Sequence, residues 1–279
     1  MLKLFEKIIR RKTLKIPWGN VSVNLVSPWD IFERDSRVVT LFGPVMSVSN
    51  VNLISDRSLS FLAEDMFGAI IMLGMESNKP VKIVINSVGG DVRAGFTIIQ
   101  AIEHLKKKGI EVWTVNILSA MSMAGVILMA GTEGKRFTLR NSTVHAHCGM
   151  VSAGKGKPTD VEYTQEYLKS LTQKLEAFIS ANSKIPEYYA PEHFTKDSFE
   201  DIDKKTREEI VKNPKLRLNL TKKFLENERY LNPDQAKKAG IIDEVIEPGD
   251  ARLDEIFVSV SEKSETRGCK PSKKTGGQR

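Results

Sequence analysis

Two periods of apolar residues alternate along this chain, and the switches between them mark out its elements. "RVVTLFG" (Arg37–Gly43) is a β-branched run that stops at glycine and predicts a strand. "SDRSLSFLAEDMFGAIIML" then offers Ser or Asp as a cap and repeats apolar residues at helical spacing. "VKIVIN" (Val81–Asn86) predicts a second strand, closed by "SVGGD". "RAGFTIIQAIEHLKKKG" predicts an amphipathic helix with lysines in its last turn and Gly109 just beyond. "EVWTVNI" (Glu111–Ile117) predicts a third strand, followed by "LSAMSMAG" and the apolar run "MAGVILMAG". "RFTLRNSTVHAH" reads as two short strands around a turn at Asn141–Ser142.

Strands separated by helices of this length imply a largely parallel sheet with crossover connections. In such sheets, sites gather where strands end and helices begin. Both "SVGG" and "SAMSMAG" sit at such junctions. From "PTDVEYTQEYLKSLTQKLEAFISAN" the pattern becomes one long helix with Leu168, Leu171, Leu175 and Phe178 on a single face. Residues 183–223 are dense in balanced charge and hold Pro186, Pro191 and Pro214, the pattern of a solvated, partly helical insertion. "NPDQAKKAGIIDEVIEP" restores order, with Pro233 at a helix start, Gly240 at its end and a final strand at "IIDEVI".

Charge changes this picture only at the ends. The chain of 279 residues carries a net charge of +7. Residues 1–16 hold six Lys/Arg against one Glu, and residues 261–279 hold six against two, so the body between them is slightly acidic. That distribution excludes a nucleic-acid-binding face on the folded body. In the N-terminal stretch, Leu4, Phe5, Ile8 and Ile9 have the spacing of a short docking helix, without a secretory signal's apolar core. No stretch has the length of a membrane span. Two cysteines, Cys148 and Cys269, are too few for a disulfide framework and fit a reducing compartment. The chain thus divides into a basic segment at 1–29, a body at 30–255 in which the long helix and the insertion that follows it span about 158–225, and a disordered polar tail at 256–279.

The candidate chemistry centres on serine and histidine. Ser122 is flanked by Ala120 and Ala124, so the G-x-S-x-G elbow is absent, yet small neighbours still allow a sharp bend. A serine opening a helix would aim the Met123 N–H at an incoming oxyanion. The alternative is that Ser122 or Ser119 simply caps the helix. His145 and His147, two apart, point to one face of a strand, while Cys148 faces the other way. That pairing suits a general base better than a zinc site, which wants further ligands. His104 and His193 read as structural or surface residues. "NSVGGD" matches no phosphate loop; its paired glycines can instead expose backbone N–H groups to a peptide or oxyanion.

In order along the chain, these pieces resemble the ClpP family, the proteolytic serine peptidase subunits of Clp proteases. The resemblance runs from about Asp30 to Val245, through "WDIFERDSRVVTLFGPV", "VKIVINSVGGDVRAGFTIIQAI", "SAMSMAGVILMAGTEGKRFTLRNSTVHAH" and "NERYLNPDQAKKAGIIDEV". It implies an α/β, crotonase-like fold of repeated strand-strand-helix units with a protruding helical handle. It implies Ser122 as nucleophile, His147 as base, and an oxyanion hole from the N–H groups of Gly90 and Met123. It further implies a cytoplasmic or organelle-matrix ring, unfolded polypeptide substrates, an AAA+ ATPase partner, and no metal or organic cofactor.

Three departures stand beside the resemblance. The third member, commonly Asp, aligns with Glu228, and Asp197, Asp201 and Asp203 are alternative acids. His145 occupies a position that is commonly apolar. The 81 positions from His147 to Glu228 exceed the family's usual interval, placing the insertion in the handle that joins two rings. Other readings are a catalytically silent ring subunit, a crotonase-type acyl-CoA enzyme and a phage-type maturation protease.

Overall fold

The computed structural model describes residues 11–16, 19–24, 36–47, 62–147, 157–188 and 204–257. In chain order the elements are β1 (Arg11–Ile16), β2 (Gly19–Asn24), β3 (Val38–Phe42), α1 (Ala63–Glu76), β4 (Val81–Ser87), α2 (Val92–Lys107), β5 (Val112–Met121) and α3 (Met123–Met129). Next come β6 (Arg136–Leu139), β7 (Thr143–Ala146), α4 (Pro158–Asn182), α5 (Ile185–Tyr188), α6 (Lys204–Lys212) and α7 (Pro214–Leu225). The last are β8 (Arg229–Leu231), α8 (Pro233–Lys238), β9 (Glu244–Ile246) and α9 (Ala251–Phe257). Two compact units divide the chain, Val39–Gly249 on one side and Met1–Val38 with Asp250–Arg279 on the other. In the smaller unit β1 and β2 form an antiparallel hairpin that the sequence pattern did not suggest. The docking-helix positions Leu4 to Ile9, and the tail beyond Phe257, lie outside the described residues.

The larger unit is built on a seven-stranded sheet in the order β3-β4-β5-β6-β9, with β7 beside β5 and β8 beside β7. Pairings β4/β5, β5/β6, β5/β7 and β6/β9 are parallel, as the alternation of strands and helices requires. Val81, Ile83, Val84 and Ile85 of β4 are all fully buried. That explains why the strand reads as a continuous apolar run: a parallel sheet is covered on both faces. Helix α2 buries Ala94, Ile98, Ile102 and Leu105 in one stripe. Asp91 caps it by accepting the Ala94 N–H at 2.9 Å. Helix α1, in contrast, starts at Ala63 behind Leu62 and has no side-chain cap. The serines and aspartate expected to cap it lie upstream, outside the described residues.

β5 is longer than the sequence pattern suggested because it serves two neighbours in succession. Thr114–Asn116 pair with β6, and Ser119–Met121 pair with β7. Between these stretches the β4/β5 register jumps from Ile85↔Asn116 to Ser87↔Ala120, so β5 carries two extra residues. Such irregularities bend a strand and re-aim the residues at its end.

The described part of the insertion is helical, in α5, α6 and α7. Arg217 of α7 donates from Nε to the Ser180 carbonyl at 2.8 Å, and its Nη atoms reach Glu187 and the Ser183 carbonyl. α8 then opens with a reciprocal capping box between Asn232 and Gln235. At the far edge of the sheet, Arg136 closes the structure with one guanidinium. It donates from Nε to Asp243 Oδ2 at 2.9 Å and from Nη1 to the Asn182 carbonyl at 2.9 Å. The Arg136 N–H also reaches Asp243 Oδ2, so β6, the approach to β9 and the end of α4 share one centre.

Burial alone would raise the Asp243 pKa, but the hydrogen bonds and charge of Arg136 override it and hold the carboxyl below its ordinary value. A depressed native pKa contributes stability above the unfolded value, and that contribution is lost as pH falls through the native one. Asp243→Ala leaves Arg136 buried and unpaired, and is expected to cost about 3–5 kcal/mol in urea unfolding at neutral pH. The gap from wild type should shrink on acidification through the carboxylate range.

Candidate active site

The sheet delivers four side chains to one place through backbone pairing. β5 ends at Met121, and Ser122 comes next with φ 51° and ψ −124°, a left-handed conformation that non-glycine residues rarely adopt. Its N–H donates to the His145 carbonyl at 3.0 Å, continuing the β5/β7 ladder one step past the strand. Helix α3 begins at the next residue. Ser122 holds the N-cap position, but its side chain makes no capping bond. Its Oγ instead lies 2.8 Å from His147 Nε2. Of the two readings the sequence allowed, the simple helix cap is the one this geometry removes.

β8 supplies the carboxylate by register. It runs antiparallel to β7 with pairs Val144↔Leu231, His145↔Tyr230 and Ala146↔Arg229. One further step sets Glu228 opposite His147, and Glu228 Oε1 lies 3.1 Å from His147 Nδ1. Ser122, His147 and Glu228 therefore form a continuous chain of contacts. Asp197, Asp201, Asp203, His193 and Cys148 lie outside the described residues. His104 is exposed near the end of α2.

Sequence reasoning noted His145 and gave it no partner. Here its Nε2 lies 2.5 Å from Glu228 Oε2, so one carboxylate spans both histidines. The His145 ring is buried beneath Tyr230, stacked with centroids 4.3 Å apart. The two-residue spacing of the histidines was the available signal; the matching Tyr230 could be found only from the β7/β8 register. Burial pushes the His145 pKa below its ordinary value, Glu228 opposes this, and neighbouring His147 adds to it. For Glu228, desolvation acts upward, but hydrogen bonds and charge from both histidines leave its pKa below the ordinary value. Ligand atoms of His145, His147 and Glu228 lie within 4.8 Å of one another, a donor set of the kind metals use. Both facing nitrogens already meet the carboxylate as hydrogen-bond partners, which accounts for the cluster without an ion.

The glycine pair sits directly against the serine. A Cβ on Gly89, whose φ is +87°, would lie 2.7 Å from Ser122 Cβ and 2.9 Å from the Met123 nitrogen. Gly90 is bridged to Val45, yet the bonds of that bridge use its neighbours. Val45 N–H donates to the Gly89 carbonyl at 2.8 Å, and Asp91 N–H donates to the Val45 carbonyl at 2.9 Å. Among the described residues, the N–H groups of Gly90 and Met123 have no acceptor. Met123 itself is buried, which fixes the start of α3.

A serine held in a strained bend and hydrogen-bonded to a histidine, on a parallel α/β sheet, is the arrangement of a serine-type peptidase. The family model described as Clp protease matches residues 33–204, more than half of the chain, and the chain belongs to that family. Its fold is accordingly of the ClpP/crotonase-like α/β class, and its activity is that of a serine-type peptidase. Ser122, His147, Gly90 and Met123 lie inside the matched segment, and Glu228 lies beyond it.

Gly89→Ala places a methyl group against Ser122 in a backbone region that disfavours side chains. It is expected to destabilise the fold by about 1–3 kcal/mol, the usual cost of such strain. Labelling of Ser122 by a fluorophosphonate should slow in the same variant, measured beside its thermal midpoint.

Proposed function

We propose that this chain cleaves polypeptides through an acyl-enzyme formed on Ser122. The Ser122 Oγ attacks the scissile carbonyl carbon while His147 Nε2 takes its proton. The Nδ1–H of the resulting imidazolium donates to Glu228 Oε1, which orients the ring and stabilises its charge. The carbonyl oxygen becomes an oxyanion held by the N–H groups of Gly90 and Met123. Collapse breaks the C–N bond, and His147 returns the proton to the leaving amine. A water molecule, activated by the same histidine, then attacks the ester and frees Ser122.

The observation that carries this reading is the unbroken contact chain from Ser122 Oγ through His147 to Glu228. Two N–H groups without acceptors among the described residues, beside that serine, support the oxyanion role. Family membership supports the wider setting: rings enclosing the sites, unfolded chains delivered by an AAA+ ATPase, and a cytoplasmic or organelle-matrix location. Among the described residues no helix is long and apolar enough to cross a membrane. Three segments accompany this reading: a basic arm at 1–29, the peptidase body at 30–255 and a polar tail at 256–279.

Cleavage of a short fluorogenic peptide by the assembled protein tests the assignment. Ser122→Ala should abolish cleavage and fluorophosphonate labelling together. His147→Ala and Glu228→Ala should each lower kcat, by up to about 10⁴-fold for loss of the orienting carboxylate. Absence of any adduct on Ser122 in the wild-type assembly would instead identify a silent subunit. Native mass measured on the same samples reports whether rings form.

A further inference from the structure

Glu228 makes two hydrogen bonds in this site, and the proposed reaction uses one of them. Its side chain is 60% exposed, so water competes for both oxygens and three rotatable bonds leave the carboxylate many orientations. Aspartate, one methylene shorter, would face less of this problem. The partner of Oε2, however, is anything but mobile. The His145 side chain is 6% exposed, and its backbone lies in the ladders of β7 with both β5 and β8. Its carbonyl holds the Ser122 N–H, and its ring is covered by Tyr230. A carboxylate only accepts, so the nitrogen facing it, His145 Nε2, carries the proton.

We propose that His145 is a positioning residue: its Nε2–H pins Oε2 of Glu228 and thereby turns Oε1 onto His147 Nδ1. The inference rests on the triad reading of Ser122, His147 and Glu228 and extends it. Packing alone does not require this residue, because an apolar side chain could fill the space beneath Tyr230. What an apolar side chain cannot do is hold one oxygen of an exposed glutamate. The glutamate at 228 and the histidine at 145 thus form one device, in which a rigid donor restrains a longer and more mobile acid. The same buried residue anchors Ser122 through its carbonyl, so the serine and the carboxylate are referenced to a single point on β7.

The test compares His145→Leu, His145→Gln, Tyr230→Ala and Glu228→Ala, with the combinations of the first and third with Glu228→Ala, in the full-length assembled protein. The readouts are kcat and KM for a short fluorogenic peptide and the fluorophosphonate labelling rate. His145→Leu is expected to lower kcat by about 10- to 100-fold, the range seen when a partner that orients a functional side chain is removed. KM should stay unchanged, and His145→Gln, which keeps a donor, should recover most of the loss. In the Glu228→Ala background His145→Leu should cost nothing further. Wild-type kcat in His145→Leu, or an equal loss in both backgrounds, would overturn the proposal. Should His145→Leu fail to assemble, Tyr230→Ala carries the test: it leaves the donor in place but uncovers it. It should lower kcat in wild type and not in Glu228→Ala, and an equal effect in both would overturn the proposal. Labelling of Ser122→Ala, or full activity in Glu228→Ala, would sink the triad reading itself, a result separable from the behaviour of His145.

Discussion

The site depends first on a bend that the backbone would not adopt by itself. Ser122 sits at φ 51°, and a β-region residue there would carry its side chain elsewhere. Strain of this kind persists only where the surroundings over-determine it. Here the restraints come from both directions. Upstream, β5 is hydrogen-bonded to β7 as far as Met121, and the Ser122 N–H continues the ladder to His145. Downstream, the Ser122 carbonyl accepts from Gly125 at 3.0 Å, and α3 is buried along its whole length. The strand cannot retreat and the helix cannot advance, so the turn between them is fixed and Oγ is left free of capping.

From that bend the remaining geometry is set through sheet register rather than loop placement. β7 lies beside the end of β5, so the residue after β7, His147, falls within reach of Ser122. β8 lies antiparallel to β7, so the residue before it, Glu228, falls within reach of His147. Sites referenced to strands hold their positions better than sites on loops. The arrangement also accounts for the reach of Glu228 to both histidines: it stands just before a strand, where Oε1 meets His147 and Oε2 meets His145 on the same face.

The sequence made most of this legible where the signal was local. Strand-to-helix junctions at Gly89–Gly90 and Ser122 were visible from small residues following β-branched runs. The histidine pair was visible from its spacing, and the alternation of strands and helices implied a parallel sheet. What escaped was non-local. Arg229–Leu231 is too short to announce itself as a strand, yet its pairing with β7 decides where Glu228 goes. The two-residue jump in the β4/β5 register, which carries β5 on to Met121, leaves no pattern in the chain because Leu118–Met121 reads equally as strand or turn. The His145–Glu228 contact joins residues 83 positions apart, and only the fold could pair them.

The insertion poses the remaining physical question: how a long excursion can precede Glu228 without displacing it. Closing a longer loop costs little extra entropy, since the penalty grows only with the logarithm of length. Position, in contrast, would suffer if the added chain pulled on β8. The described part of the insertion is tied back before β8 begins. Arg217 binds the carbonyls of Ser180 and Ser183 at the end of α4 and the carboxylate of Glu187, so α7 is docked on the element that precedes the insertion. Ile210, Leu220 and partly buried Leu216 form a small apolar cluster of their own between α6 and α7. Phe224 and Leu225 then enter the main core, three residues short of Glu228. The chain therefore reaches β8 already anchored at Arg217 and Phe224. In this arrangement an inserted segment is compatible with the contacts of Ser122, His147 and Glu228, because the chain is tied to the rest of the unit before it reaches the strand.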